Sequence, residues 1–364
     1  MPNSNIYSRP LRLLHKKETR KSIAHHFQPY VIAANEMRTP HDIIVSKSLK
    51  LQLTVDAELS MIDGKMVSIL QGDSGSFCHL CKSTRQEAND VTCILQGFII
   101  NKSFEDISKV WQSLEDGSMD YDKGQRFGQC HKPMTSTSLR FFAILHQKLR
   151  SLGHCLKQLY HLVSGQTHTW SESNLNVKQA LTVGKKEAID HIRAKCGFLV
   201  DCPTVIGGNT NSGPIADRFF SPKNREDICS LILREQDRLN FSKLLSYFNQ
   251  MLSITQNSDA SKVAIFEKVQ ELGQCLMLHH KRSFTFAMIS PSVHQMAAHA
   301  WELFKINEGK PISKFSEQPG EAWNKHVRAY KSGPAARARQ SSIKVNTRDI
   351  FTRMLLQTHL QCKI

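Results

Sequence analysis

The sequence predicts a mixed, mostly helical fold, with a small strand-containing portion first and helices through the rest of the chain. Two observations carry this prediction. Residues Ser48–Gly64 alternate apolar and polar side chains, which is typical of a strand with one buried face. After Cys81 the apolar residues recur at helical spacing instead. This order fits an α/β core that is interrupted by a large helical insertion.

The first 64 residues supply the strand signals. Pro10–His15 could be a short strand, and residues 18–37 have a helix-like pattern. In the alternating segment the apolar positions are Leu49, Leu51, Leu53 and Val55.

The helical signals begin at Phe104–Leu114, where Ser103 and Asp106 suit a helix start. Four longer amphipathic segments follow, at residues 138–163, 176–195, 226–252 and 261–280. The Gly- and Asn-rich loop Val205–Pro214 separates the second from the third and matches no phosphate-loop pattern. Two further helices are predicted near the C-terminus, at residues 320–332 and 347–360.

The composition is that of a globular, basic protein. Of the 364 residues 40% are hydrophobic, and the formal net charge is +16 with a pI near 9.4. A basic excess spread along the chain suggests a surface that faces a polyanion, although a ribosomal or membrane-surface role would give the same charge. We find no secretory signal pattern and no apolar run of the ~18 residues that a membrane span needs. These features predict an intracellular chain with reduced thiols.

Cysteine and histidine spacing predicts a composite metal site. Cys78 and Cys81 form a Cys-x2-Cys pair, and His294 and His299 form a His-x4-His pair in a predicted helix. Five residues turn a helix through about 500°, so the two rings do not share a face. We expect Pro291 to start this helix and to leave His294 on a frayed first turn, so that both rings reach inward.

The two pairs lie more than two hundred residues apart, which excludes a local zinc finger. A site built from them would join both ends of the helical middle. Spacing alone equally permits ordinary thiols and core histidines, and it leaves substitute ligands open at His79, Cys130–His131 and His279–His280.

Two acidic residues stand out as candidates for catalysis. Asp63 ends an apolar strand before Gly64, although an Asp-Gly pair is more often a plain turn. Glu321 begins a helix face that continues with Asn324, Lys325 and Arg328, and Arg337 and Arg339 follow. A carboxylate within a phosphate-binding surface repels DNA unless a divalent cation lies between them, which is the arrangement of two-metal phosphoryl transfer.

Five motifs in register resemble a known family: MIDGK, FCHLCKSTRQEA, VHQMAAHAW, SEQPGEAWNKHVRAY and NTRDIFTRML. In this order, over almost the whole chain, they are similar to the Transib transposases and the large catalytic subunit of the V(D)J recombinase. The loop LVDCPTVIGGNTNSGPIADRFF resembles the equivalent Transib loop. The resemblance implies an incomplete RNase H-like (DDE recombinase) core at residues 1–75, a helical zinc-binding insertion at 76–310, and a C-terminal helix with a basic tail at 311–364.

The resemblance also assigns residues. Asp63 matches the second catalytic aspartate and Glu321 the catalytic glutamate, which together would hold Mg²⁺ or Mn²⁺. Cys78, Cys81, His294 and His299 match the ligands of a structural Zn²⁺. The positions that match DNA-contacting regions are Asn209, Asn211, Arg218, Asn324, Lys325, Arg328, Arg337 and Arg339.

The implied activity is nicking of double-stranded DNA at terminal repeats or recombination signals, followed by attack of the free 3′-hydroxyl. The implied setting is the nucleus, with a second recombinase subunit as partner and a homodimer in the full-length form. The family's first catalytic aspartate has no match among the upstream acids Glu18, Glu36, Asp42 and Asp56, so we expect an N-terminally truncated chain. The alternatives are a non-catalytic, zinc-stabilised DNA-binding remnant and, third, a zinc-stabilised protein-interaction module.

Overall fold

The structure of the chain is a computed structural model, and it describes residues 41–46, 49–53, 78, 80–81, 83–100, 112, 144–166, 175–204, 209–257 and 263–306. The described residues are mostly helical, as predicted. The elements predicted at 10–15, 18–37, 320–332 and 347–360 lie outside them, as does all of 104–114 except Gln112.

The strands described are β1 (His41–Ser46) and β2 (Leu49–Leu53), which form an antiparallel pair. Ile43 lies opposite Leu51, and the register shifts between Ile44 and Ser46. The predicted strand is therefore confirmed over Leu49–Leu53, whereas β1 was not expected. The RNase H-like core stays a prediction.

The helices of the described residues follow in chain order. They are α1 (Val91–Gln96), α2 (Ile144–Val163), α3 (Leu175–Cys196), α4 (Gly213–Phe220), α5 (Pro222–Cys229), α6 (Glu235–Asn257), α7 (Val263–Ser283) and α8 (Pro291–Ile306). A 3₁₀ turn at Glu87–Asn89 precedes α1. Helices α2, α3 and α7 confirm the segments predicted around 138–163, 176–195 and 261–280.

The segment 226–252 does not form one helix, contrary to the prediction. It contributes to both α5 and α6, which are separated by residues 230–234 and pack against each other. In this turn Ile232 is buried while Leu233 is 93% exposed. The break cannot be recognised in the sequence because the apolar residues continue at helical spacing through it. Ile232 is buried in the turn, as a residue on the buried face of a helix would be.

Large apolar side chains hold the helices together. Helix α8, for example, buries residues at i, i+3, i+4 and i+7, which form one face of a helix: Val293, Met296, Ala297 and Ala300. The largest fully buried side chains include Phe219, Phe241, Phe248, Phe284 and Phe304. Full burial of each such side chain contributes roughly 1.5–3 kcal/mol relative to an exposed position.

An ion pair between a buried lysine and an exposed aspartate connects α2 to α4. The Nζ atom of Lys148 donates to Oδ1 of Asp217 at 2.6 Å, and Lys148 is only 3% exposed. Because a buried cation is costly without a partner, this pair helps to hold α4 against α2 at Asp217.

The chain separates into two compact units. One contains Met1–Leu11, Ser83–Ile99 and Phe142–Ile364, and the other contains Arg12–Lys82 and Ile100–Phe141. Helices α1 to α8 belong to the first unit, and β1 and β2 to the second. Within the described ranges, none of the helices combines the length and apolar character that a membrane span requires.

Candidate metal centre

Helix α8 supplies both predicted histidine ligands. Pro291 is its first residue, as predicted, and suits that position because its fixed φ is helical and no N–H is lost from the ladder. The Oγ atom of Ser290 accepts from the Val293 N–H at 3.4 Å, a long capping contact. His294 and His299 are both fully buried, and their ring centroids lie 5.4 Å apart.

The segment after Cys81 is fixed by a capping box. The Thr84 N–H donates to Oε2 of Glu87 at 2.6 Å, and the Glu87 N–H donates to Oγ1 of Thr84 at 3.2 Å. This reciprocal pair satisfies two backbone donors and holds the turn in place.

The same segment is also attached to the helices that follow. Oδ1 of Asn89 accepts from the Ile289 N–H at 2.7 Å, just before α8. From α7, Nε2 of Gln274 donates to the carbonyl oxygens of Ile94 and Leu95 at 3.0 Å. These bonds position residues 83–99 against the start of α8.

The four predicted zinc ligands form one cluster. The ligand atoms of Cys78, Cys81, His294 and His299 all lie within 4.8 Å of one another. Three of the residues are fully buried, and Cys81 is 9% exposed. It is the one such cluster of three or more His, Cys, Asp or Glu side chains among the residues that the structure describes.

The cluster fits a tetrahedral metal ion. Two sulfur and two imidazole ligands are a common set for structural zinc, and bond lengths of about 2.0–2.3 Å place the ligand atoms of such a site roughly 3.3–3.8 Å apart. The 4.8 Å limit in the cluster is close to that spacing. Burial and the adjacent Cys81 thiol raise the pKa of the Cys78 thiol well above its ordinary value. Metal binding must therefore release protons here, because only the thiolate is a ligand.

Each histidine also contacts a polar side chain through one ring nitrogen. Nδ1 of His299 lies 2.9 Å from Oε2 of Glu302, one turn further along α8. Nε2 of His294 lies 3.2 Å from Oγ of Ser83. The ring of Phe98 packs edge-on against His294, with centroids 4.5 Å apart. Such hydrogen bonds orient metal-binding imidazoles in many proteins.

The frayed first turn predicted for His294 is wrong. The His294 N–H donates to the Ser290 carbonyl at 2.9 Å, so the first turn of α8 is formed. The substitute ligands on α7 are also outside the cluster. His279 contacts the Asn240 carbonyl at 2.8 Å, and His280 lies against His154 with 3.0 Å between their Nε2 atoms. His79, Cys130 and His131 lie outside the described residues.

The predicted DNA-contacting residues near the Gly-rich loop make bonds within the chain. Asp201 has a φ of 50°, and its Oδ1 accepts from Nδ2 of Asn209 at 3.1 Å and of Asn211 at 2.6 Å. The guanidinium of Arg218 donates to the carbonyls of Cys196 and Gly197 at the end of α3. These bonds shape the loop, and a role in DNA binding stays a prediction.

The other predicted site residues lie outside the described part of the chain. They are Asp63, Glu321, Asn324, Lys325, Arg328, Arg337 and Arg339. Sequence analysis also missed two residues that contact the cluster. Glu302 could have been found from its position three residues after His299, whereas Ser83 shows no sequence pattern beyond its closeness to Cys81.

Comparison with protein-family models gave no match to this chain, and a search of the curated proteins gave none either. The resemblance of the motifs to the transposase and recombinase family therefore stays a prediction from the sequence.

Proposed function

We propose that the chain is a transposase- or recombinase-like DNA-processing protein whose helical insertion is held together by a structural Zn²⁺. The observation that carries the proposal is the cluster of Cys78, Cys81, His294 and His299. Spacing suggested these four residues and the motif resemblance assigned them as zinc ligands, from two pairs more than two hundred residues apart. Chance seldom brings such distant pairs into one buried cluster, so the clustering supports the resemblance.

Zinc is the metal we propose because of the ligands. Two thiolates and two imidazoles form a closed, soft set with no position left for substrate, which is typical of structural and not catalytic zinc. Among the described residues the cluster contains no carboxylate ligand, which Mg²⁺ or Ca²⁺ would favour. Catalysis would instead depend on Mg²⁺ or Mn²⁺ held by Asp63 and Glu321.

The proposed substrate is double-stranded DNA. The formal net charge of +16 supports a polyanionic ligand, and the motif-matched Lys and Arg residues follow Glu321. In the proposed reaction water would hydrolyse one phosphodiester to leave a 3′-hydroxyl and a 5′-phosphate, and this 3′-hydroxyl would then attack a second phosphodiester and displace its 3′-oxygen as a new 3′-hydroxyl. Asp63 and Glu321 would hold the Mg²⁺ or Mn²⁺ that supplies Lewis-acid stabilisation. The nucleus and a second recombinase subunit belong to the same proposal.

The test is DNA binding and cleavage by the zinc-loaded chain. We expect affinity for double-stranded DNA, measured by fluorescence anisotropy, to fall steeply between 50 and 200 mM salt, because Lys and Arg contacts release counterions; 6–10 phosphate contacts would cost about 10³–10⁵-fold. In a form of the protein that cleaves DNA with Mg²⁺ or Mn²⁺, Asp63→Asn and Glu321→Gln should abolish cleavage and leave binding largely intact. An affinity for DNA that does not change with salt concentration would contradict the proposal that the chain binds DNA.

Matched control variants distinguish the loss of any one carboxylate from the loss of a catalytic carboxylate. Asp73→Asn and Glu317→Gln remove one carboxylate each, close in sequence to Asp63 and Glu321, and should cleave like the parent chain. Cleavage retained in Asp63→Asn or Glu321→Gln would refute the site assignment. Salt-dependent binding without any cleavage would favour the non-catalytic DNA-binding alternative.

A further inference from the structure

We propose that the two histidines of α8 bind the metal through different ring nitrogens, His294 through Nδ1 and His299 through Nε2. We further propose that Ser83 and Glu302 are the positioning residues that select these nitrogens. The inference rests on the metal centre of the proposed function, but it is independent of DNA.

The contact between Glu302 and His299 determines one of the two nitrogens. The carboxylate of Glu302 lies 2.9 Å from Nδ1 of His299, and both side chains are buried. A carboxylate accepts hydrogen bonds, so it stabilises the imidazole form that carries its proton on Nδ1. The lone pair of a neutral ring is then on Nε2, which is the atom available to a metal.

Ser83 contacts the opposite ring nitrogen of His294, so that Nδ1 is the nitrogen we propose for the metal. Its Oγ lies 3.2 Å from Nε2 of His294 in a buried contact. When Nε2–H donates to this hydroxyl, the lone pair of the neutral ring is on Nδ1. Phe98 makes a T-shaped contact with the same ring, at a centroid distance of 4.5 Å.

This assignment explains how a His-x4-His pair can work on an unfrayed helix. Five residues place the two Cβ atoms about 140° apart around the axis. Nδ1 is the ring nitrogen closer to the main chain, and Nε2 is the one further from it. A metal ion can therefore lie at different distances from the two Cβ atoms and still bind both histidines. The ring centroids are indeed 5.4 Å apart, although both residues lie on a regular helix.

Zinc competition tests the role of Glu302 with the whole reduced chain and a chromophoric chelator. Glu302→Ala should weaken zinc binding about 10- to 100-fold, which is the usual effect of losing such a partner. Glu302→Gln should retain most of the affinity, because its amide oxygen still accepts from Nδ1–H. Ser83→Ala should also weaken binding, and Glu271→Ala, which removes an exposed carboxylate on α7, should not.

The thermal midpoint of unfolding of the metal-free chain shows whether Glu302 positions the histidine or merely stabilises the fold. We expect Glu302→Ala to change zinc affinity while the metal-free midpoint stays close to that of Glu302→Gln. Unchanged zinc affinity in Glu302→Ala would overturn the proposal, as would a zinc-loaded crystal structure in which both histidines bind through Nε2. If the parent chain binds no zinc, the metal centre itself fails, and that result is distinct from failure of the positioning role.

Discussion

At the scale of single residues, the four clustered side chains form the candidate metal centre. Loss of one ligand should prevent tetrahedral coordination and leave its buried partners without the ion. Cys81→Ser and His299→Ala are therefore expected to reduce bound zinc from one per chain to near zero. Elemental analysis of the purified, reduced chain measures this.

The control for the ligand variants is Cys275→Ser. Cys275 is a half-buried free cysteine on α7 that is not part of the cluster. It should keep the zinc content of the parent chain. Full zinc content in Cys81→Ser would contradict the composite site.

A second residue-scale feature is the buried histidine pair between α2 and α7. Burial, together with the smaller effect of the nearby Lys157, lowers the pKa of His154 to about 4. Burial also lowers the pKa of His280 well below its ordinary value, as do His154 and the neighbouring cations. Gln158 contacts both rings, with its Nε2 2.8 Å from that of His154. Both rings are therefore neutral in the folded chain near neutral pH.

This pair predicts loss of stability in mild acid. Between pH 6.5, the ordinary histidine value, and about 4, the unfolded chain binds more protons than the folded one, so stability falls as the pH falls. The contribution of His154 to the free energy of unfolding is on the order of 3 kcal/mol at most, because each unit of pKa shift corresponds to about 1.4 kcal/mol. Urea unfolding of the zinc-loaded chain at several pH values measures it.

The comparison for this prediction is His154→Asn, which cannot titrate. Its stability should depend less on pH over the same interval than that of the parent chain. His191→Asn makes the same substitution at a histidine away from this pair and serves as the control. If the free energy of unfolding depended equally on pH in all three chains, the histidine pair would not be the source of the acid sensitivity.

The four metal ligands could be predicted from the sequence, whereas the two polar residues that contact them could not. Spacing and resemblance together identified Cys78, Cys81, His294 and His299, because metal ligands need particular atoms and few residue types provide them. Glu302 and Ser83 were not identified, because many acids and serines share their local sequence context. Their role depends on which ring nitrogen they face, and that is decided by packing.

At the scale of elements, the crossing of α7 and α8 is unusually close. A Cβ atom added at Gly273 of α7 would lie 1.8 Å from the carbonyl oxygen of Ala297 on α8. Backbone cannot move aside as a flexible side chain can, so α8 would have to shift. Ala297 lies between His294 and His299, so such a shift would also displace the metal ligands.

Gly273→Ala is therefore expected to destabilise the chain by roughly 1–3 kcal/mol or more, as overpacking does, and to weaken zinc binding. Gly153→Ala is the matched control on α2, where an added Cβ meets nothing within 4 Å. That variant should be stabilised by up to about 1 kcal/mol, because alanine is the better helix former. Chemical denaturation measures both, and a neutral Gly273→Ala would contradict the close crossing.

The helices themselves were largely predictable, for a physical reason. Burial on one side of a helix imposes a period near 3.6 residues, and the segments forming α2, α3 and α7 show it. The break between α5 and α6 was not predictable in the same way. No glycine or proline lies in residues 230–234, and the apolar spacing continues through them.

At the scale of the whole molecule, the proposed zinc would join residues that are far apart in the chain. Cross-linking distant residues lowers the entropy of the unfolded chain, and a ligand that binds the folded state alone stabilises it by mass action. At a free zinc concentration 100 times the dissociation constant, this amounts to about 2.7 kcal/mol. Zinc should therefore raise the thermal midpoint in a concentration-dependent way.

Differential scanning calorimetry before and after chelation checks this expectation. The midpoint should fall on chelation and recover when Zn²⁺ is restored, whereas Mg²⁺ should not restore it, because Mg²⁺ favours oxygen ligands. Cys81→Ser should show the lower midpoint at all times. A midpoint that is insensitive to chelation would mean that the centre contributes little to folding.

The ion pair of Lys148 and Asp217 has a consequence for how the net charge is interpreted. An ammonium group that is 3% exposed and bonded to a carboxylate is withheld from any polyanion, although it counts toward the 48 basic residues. It is equally withheld from reagents, so an amine-directed acylating probe should leave Lys148 unmodified while it labels the exposed Lys186. Lys148 should become reactive only when α2 and α4 separate, which makes its labelling rate a direct measure of how often this part of the molecule opens.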